Sequence, residues 1–365
     1  MQTLQFKKLT ILLLLAIATA ATAVTGQEAD KKFERVFPLT GKASLELENR
    51  YGNVDIRNWE RDEISIEVIV KVSHTSKENA ERQLSYININ FSQRENAVKA
   101  VTEIDQRISR TGSRWFSSGD DGVSINIDYT VYAPKDTDLR VTHRYGNIFI
   151  NEATGHTYID LRYGNLQANR IIRDNTRPLS EINLAYSPKA TITHADWLQI
   201  NMRYSDLVVD QCRALVIASS YSKIRVDRAS SIVTESRYGE FSLGNITNFV
   251  AESAYTNFTI GRIGNTIDIE SRYGNVRVDN MPAGFSKIRF VGNYGNMRIG
   301  MDPGASYRIE STASYGSVSI PQGGRVNRIS RGSQSTLSGV VGNNPETEAV
   351  VDISTRYGNV DLTSR

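Results

Sequence analysis

The sequence predicts an all-β protein, a single-chain β-solenoid of about 11–12 short coils with an inserted antiparallel β segment near the N-terminus. Three observations predict it. A heptapeptide of the form Arg-Tyr-Gly-Asn-Val-x-Val recurs along the chain. Apolar and polar residues alternate on both sides of each copy. The copies return at a nearly constant interval.

The fullest copies begin at Arg50, Arg144, Arg162, Arg237, Arg272 and Arg356. They carry Tyr51, Tyr145, Tyr163, Tyr238, Tyr273 and Tyr357, followed by Gly52, Gly146, Gly164, Gly239, Gly274 and Gly358. Degenerate copies surround Tyr186, Tyr204, Tyr221, Tyr255, Tyr294 and Tyr315. From Tyr145 onward the tyrosine spacings are 18, 23, 18, 17, 17, 17, 18, 21, 21 and 42. The last is twice 21, which predicts a degenerate turn or a long loop within 322–347.

Before each tyrosine every second residue is apolar, as in Leu45 and Leu47 or Ile267 and Ile269. That period of two marks a strand with one buried face. The Gly-Asn step then predicts a tight corner, since both residues tolerate positive φ. A second short strand follows, with Val54 and Ile56 or Val276 and Val278 inward. Each copy is therefore strand, corner, strand and return. One copy cannot bury its apolar face alone, whereas stacked copies can. Parallel strands stacked about 4.8 Å apart would make a rod of about 50–60 Å. A sandwich or barrel built of hairpins would show similar turn spacing, but need not repeat one residue in one frame.

Residues 1–27 read as a secretory signal: Lys7 and Lys8, an apolar run from Leu9, and Ala21-Thr22-Ala23 as a cleavage site. Residues 28–56 form the first coil, 57–136 the antiparallel insert or cap, and 137–365 the repeat array, with 28–365 as one structural unit. Within the insert, residues 75–85 suit one or two helical turns. A solenoid end exposes unpaired backbone groups, and the insert is placed to cover one. The one cysteine, Cys212, forbids an intramolecular disulfide and reads as a small buried thiol. The chain holds 43 basic and 40 acidic residues. Removing Lys7 and Lys8 brings it nearer neutrality, which argues against bulk nucleic-acid binding.

An export signal, the first copy NRYGNVDI, an inserted β segment and a run of Gly-Asn-Val-x-Val coils resemble the bacterial putative-adhesin family, cell-envelope β-solenoids first described as domains of unknown function. The resemblance covers roughly residues 36–365. It implies a non-enzymatic envelope protein, periplasmic, outer-membrane-associated or at the cell surface. It implies no catalytic residues and no cofactor.

Two columns are candidate functional features. The tyrosines share parity with the inward residues before them, so their rings should stack at successive corners with hydroxyls at the rim; an aromatic strip for sugar rings is the alternative. The arginines have the opposite parity and face water: Arg144, Arg162, Arg203, Arg237 and Arg272 are candidate ligand contacts. Two residues earlier stand Glu48, Asp160, Glu235, Glu252 and Glu270. Such a face is either a solvated, self-neutralising surface or a row of Arg forks for anions and polysaccharide. Trp115 and Phe116, in a Gly/Ser-rich loop, suit a contact tip or a plug over the coil end. The four histidines show no metal-ligand spacing, and His143 sits at an inward position.

These features predict a non-enzymatic, adhesin-like binding or structural protein that offers a repetitive face to glycan or to another envelope protein. They predict no nucleic-acid partner, and no transmembrane anchor once the signal is removed. A polysaccharide lyase or hydrolase on a β-helix scaffold is the alternative; it needs carboxylates or a base gathered at one level of the stack.

Overall fold

The computed structural model describes residues 27–105, 107–108 and 123–364. The expected signal, apart from Gln27, lies outside the described residues, and so do Trp115 and Phe116. The chain divides into two compact units, each described by itself.

Of the described residues, the smaller unit takes in 27–31, 70–88, 104–105, 107–108 and 123–125. Its helix, Lys77–Leu84, is the one the sequence suggests within 75–85. Ser76 caps it, its Oγ accepting from the Asn79 N–H at 3.3 Å, and Glu78 sits in the first turn, where the helix dipole favours an acid. Arg107 lies 4.5 Å over the Tyr86 ring and 2.7 Å from Asp105. That guanidinium and the Arg107 backbone N–H hold the Asp105 carboxyl down at about 2.

The larger unit holds 32–69, 89–103 and 126–365. It is the stack of coils, each named here for its tyrosine. In the Tyr221 coil one long strand, Asp206–Ser220, supplies both arms. Leu207 and Val209 point inward from the first arm and Leu215 and Ile217 from the second. The next strand, Lys223–Arg237, pairs with it in parallel, Leu207 opposite Ile224 and Leu215 opposite Ile232. Because the register is one-to-one, equivalent apolar residues form continuous columns. Val141, Ile159, Ile182, Ile200 and Ile217 make one such column, each fully or nearly fully buried.

The corners differ from the expectation in an instructive way. All twelve repeat tyrosines have φ between 50° and 68°, and among the corner glycines only Gly52 has a positive φ. The left-handed residue is thus the tyrosine. The glycine is required by space instead. A Cβ on Gly164 would stand 1.7 Å from the carbonyl oxygen of Gly146 in the neighbouring coil, and one on Gly274 2.0 Å from that of Thr256. The left-handed turn also breaks the inward parity. The tyrosine swings outward, leaving Tyr163 47% exposed. The predicted ring stack does form, with adjacent centroids 4.7–5.5 Å apart and planes within 13°. A left-handed non-glycine residue costs roughly 1–2 kcal/mol, and a stacked aromatic pair returns about 0.5–1.5 kcal/mol. Stacking offsets most of the strain at each corner.

Behind the tyrosines runs an amide ladder. The Asn165 N–H donates to Asn147 Oδ1 at 3.1 Å, and the Asn147 side chain donates to Asn53 Oδ1 at 2.9 Å. The N–H groups of Asn275, Asn296 and Asn359 repeat the pattern further along, at 2.9–3.1 Å.

Coil order in space departs from order in sequence. Strand Val350–Arg356 lies between Lys287–Asn293 and Tyr307–Ser314, parallel to both. Tyr357 accordingly stacks between Tyr294 and Tyr315. The stretch expected to hide a turn or loop contains the hairpin Arg325–Arg331/Gln334–Val341, whose second strand runs antiparallel to Tyr307–Ser314. At the other end, Ser44–Arg50 lies between Ala97–Ile104 and Asp138–Arg144, again parallel to both. Val54–Asn58 likewise pairs in parallel with Ser124–Ala133 and Ile148–Ala153. Two strands of the segment expected to be antiparallel therefore pair in parallel with the first coil. Alternation fixes which side chains face inward; the route of the chain fixes the sense of pairing.

Candidate ligand-binding face

In every coil the strand before the tyrosine puts its residues one, three and five places earlier on the outer surface. Parallel in-register pairing turns these into columns. The first column carries the sequence-predicted arginines, and Arg144, Arg162, Arg203, Arg237 and Arg272 are all exposed. The second carries acids and amides, among them Asp160, Asn183, Asn201, Glu235, Glu252 and Glu270. Together the columns line a shallow groove of about 1130 Å³ running from Arg144 and Tyr158 to Glu235 and Arg237. A second groove of about 660 Å³ shares Glu235 and Arg237 and runs on past Glu270 and Arg272 to Arg356.

Some of the charge is already engaged. Arg162 Nε lies 3.2 Å from Asp160, and Arg237 3.8 Å from Glu235, with both side chains of the latter pair well exposed. Arg289 reaches across a coil to Asp268 at 2.7 Å and Glu270 at 2.6 Å, and these two contacts raise its pKa. Glu270 thus pairs with Arg289, and Arg272, its partner by sequence proximity, is left over. Among the described residues the side chains of Arg144 and Arg272 have no ion pair or hydrogen bond. Arg203 and Arg356 lie over the rings of Tyr204 and Tyr357 at 5.6 and 5.1 Å, and both residues are exposed.

The tyrosine column offers edges rather than faces. Each ring is covered on both sides by its neighbours in the stack, so a sugar ring cannot lie flat on the inner tyrosines. What the column presents is a row of phenol hydroxyls beside the arginines.

Other candidate groups are structural. His143 is fully buried, with Nε2 3.0 Å from the Gly52 carbonyl and Nδ1 3.3 Å from that of Asn49, and burial lowers its pKa. Cys212 is buried within strand Asp206–Ser220, and burial pushes its thiol up to about 12. Among the described residues no group of three His, Cys, Asp or Glu side chains is placed to hold a metal ion. No helix among them is long and apolar enough to cross a membrane.

Residues 43–363 match the Toastrack DUF4097 family. The chain belongs to this family. The assignment agrees with the resemblance carried by the Tyr-Gly-Asn repeats, and the Toastrack match spans every coil of the stack. No curated protein matches the chain. Solved structures similar to this Toastrack chain include a putative adhesin from Bacteroides fragilis, at 8% identity, covering 91% of this chain and 97% of that one, with a TM-score of 0.27. A putative lipid binding protein from Parabacteroides distasonis matches at 8% identity over 91% and 96%, TM-score 0.31. A putative adhesin from Parabacteroides merdae matches at 13% over 92% and 96%, TM-score 0.29. The sequence names the arginines and the acids of this Toastrack face, but not Asn183 and Asn201, which continue the acid column. Period-two parity applied to the degenerate coils around Tyr186 and Tyr204 finds these two as well.

Proposed function

We propose that the protein is an exported, non-enzymatic binding protein of the bacterial envelope, and that the groove beside the tyrosine column receives a polar polymer of the glycan type. One observation carries this reading. Guanidinium groups without an ion pair among the described residues, at Arg144, Arg203 and Arg272, stand along a groove that carboxylates and amides also line. Such a surface offers donors to sugar carboxylates and acceptors to sugar hydroxyls.

The placement of the acids supports binding over turnover. Glu235, Glu252 and Glu270 are register partners in successive coils, on one wall. Glycoside hydrolysis needs two carboxyls facing each other across the scissile bond, about 5–10 Å apart. A column on one wall does not flank a bond in that way.

A glycan array with the purified protein, and with R203A/R237A/R272A beside it, tests the proposal. Binding that the triple variant loses while keeping its melting temperature is the expected result. Release of reducing ends or unsaturated products from any bound polysaccharide, abolished by changing one carboxylate, would overturn the non-enzymatic reading.

A further inference from the structure

The arginine column has a period that the repeat does not require. Arg203 is register partner to Ser220, which partners Arg237; Arg237 partners Ala254, which partners Arg272. Asn293 then separates Arg272 from Arg356. Over this stretch an arginine recurs at every second coil, with a small or neutral residue between. Ring spacings of 4.9 and 4.8 Å across Tyr204, Tyr221 and Tyr238 show that the coils stack evenly there. The step from one arginine to the next is therefore about 9.6 Å, two strand separations.

We infer that this row docks a linear polysaccharide bearing one carboxylate per disaccharide, lying along the stack with one sugar per coil. The inference rests on the proposed glycan-binding role and names its ligand class. An extended β-linked sugar chain advances by about one strand separation per residue, so alternate sugars meet alternate coils. The carboxylate of every second sugar then meets an arginine fork. The sugars between meet Ser220, Ala254 and Asn293, which carry no charge. Glu235, Glu252 and Glu270, one column over, accept the hydroxyl hydrogens that every sugar supplies. Extended peptides and nucleic-acid duplexes miss this spacing. Side chains on one face of an extended peptide recur at about 6.8 Å, and duplex phosphates at about 3.4 Å per strand.

The test is calorimetric titration of the purified protein with three oligosaccharide series: hyaluronan, with one carboxylate per disaccharide; β-1,4-polymannuronate, with one per sugar; and cello-oligosaccharides, with none. The hyaluronan series should bind tightest, with affinity rising as disaccharides are added until the four arginines are occupied. R237A/R272A should lose roughly tenfold per arginine, the worth of one charge-assisted hydrogen bond at an exposed site. S220R/A254R puts an arginine on every coil from 203 to 272 and should turn the preference towards polymannuronate. Melting curves confirm that both variants are folded. If the unaltered protein binds polymannuronate or cello-oligosaccharides as well as hyaluronan, and R237A/R272A weakens them, the two-coil inference falls while glycan binding at this face stands. Hyaluronan binding untouched by R237A/R272A also overturns the inference. If none of the three series binds, the inference falls, and the array decides the broader proposal.

Discussion

Tyr238 occupies a backbone conformation that residues with a Cβ avoid, and its ring lies 4.8 Å from the rings on either side. Where a glycine follows the tyrosine, the coil beside it constrains that glycine, and unequally so. A Cβ on Gly164 meets a backbone carbonyl at 1.7 Å; on Gly239 it meets Ser236 Oγ at 2.7 Å, a side-chain atom that can turn away. The coils flanking Gly239 already place Ser222 and Thr256 at this position, both buried. Gly164→Ala should cost about 3 kcal/mol or more by forcing coils apart, and Gly239→Ala about 1 kcal/mol or less. Equal shifts in denaturant midpoint would contradict this account of the corner. His143 gives a pH test at the same scale. Its pKa is lower in the folded state than the ordinary 6.5, because burial disfavours the imidazolium. The unfolded chain therefore takes up the proton first. Stability from this group is complete above pH 6.5 and is lost as pH falls through the folded value. His143→Leu, which matches Leu161 in the next coil, should flatten the dependence of melting temperature on pH below 6.5, while costing about 1–3 kcal/mol at pH 8 for the one carbonyl that loses the neutral imidazole's N–H.

The coil is the unit in which the fold was legible. Ile267, Ile269, Val276 and Val278 are buried as their parity required, and Glu270 and Arg272 are exposed. Ile269 sits between Ala251 and Phe290 in the neighbouring coils. Ile269→Ala should cost about 2–5 kcal/mol, because a stacked core closes only partly around the gap. Arg272→Ala should cost less than about 0.5 kcal/mol, since the side chain is exposed and Glu270 is already held by Arg289. Urea melts of the two variants measure both. Parity failed only at the corner, where one left-handed residue resets the alternation, and sequence spacing alone does not reveal which of three adjacent residues takes that conformation. The amide ladder shows how one residue interrupts a column. Asn165 Oδ1 is buried without a hydrogen-bond partner among the described residues, and the residue at the ladder position in the next coil is Pro188, which has no N–H. Pro188→Asn should supply the missing donor and raise the thermal midpoint, by about 1 kcal/mol in stability. A lower midpoint would show that the proline's fixed φ matters more than the bond.

At the scale of the molecule, the repeats predicted a stack but not its order. Every coil carries the same corner and the same parity, so any coil is chemically able to pair with any other, and nothing in the motif places Val350–Arg356 between Lys287–Asn293 and Tyr307–Ser314. Each coil is stabilised by its nearest neighbours. Deleting residues 350–364 should therefore release 307–341 to rapid amide hydrogen exchange and leave 206–272 protected. Slow exchange kept throughout 307–341 would mean that this segment holds itself together or re-pairs with the Tyr294 coil. The interposed strand also bears on how the chain is made. A stack whose coils followed sequence order could be laid down rung by rung as it emerged from a ribosome or a translocation channel. Here Tyr307–Ser314 appears before the strand that must lie beneath it, so the advancing edge has to wait, open, for some forty residues (315–349 and the strand after them). The hairpin Arg325–Arg331/Gln334–Val341, paired antiparallel to that waiting strand, occupies its other side in the meantime. Assembly of this end is thus a closing step, in which a late segment slots between two earlier ones, and a chain cut short before it carries an unsealed seam that quality-control proteases can recognise.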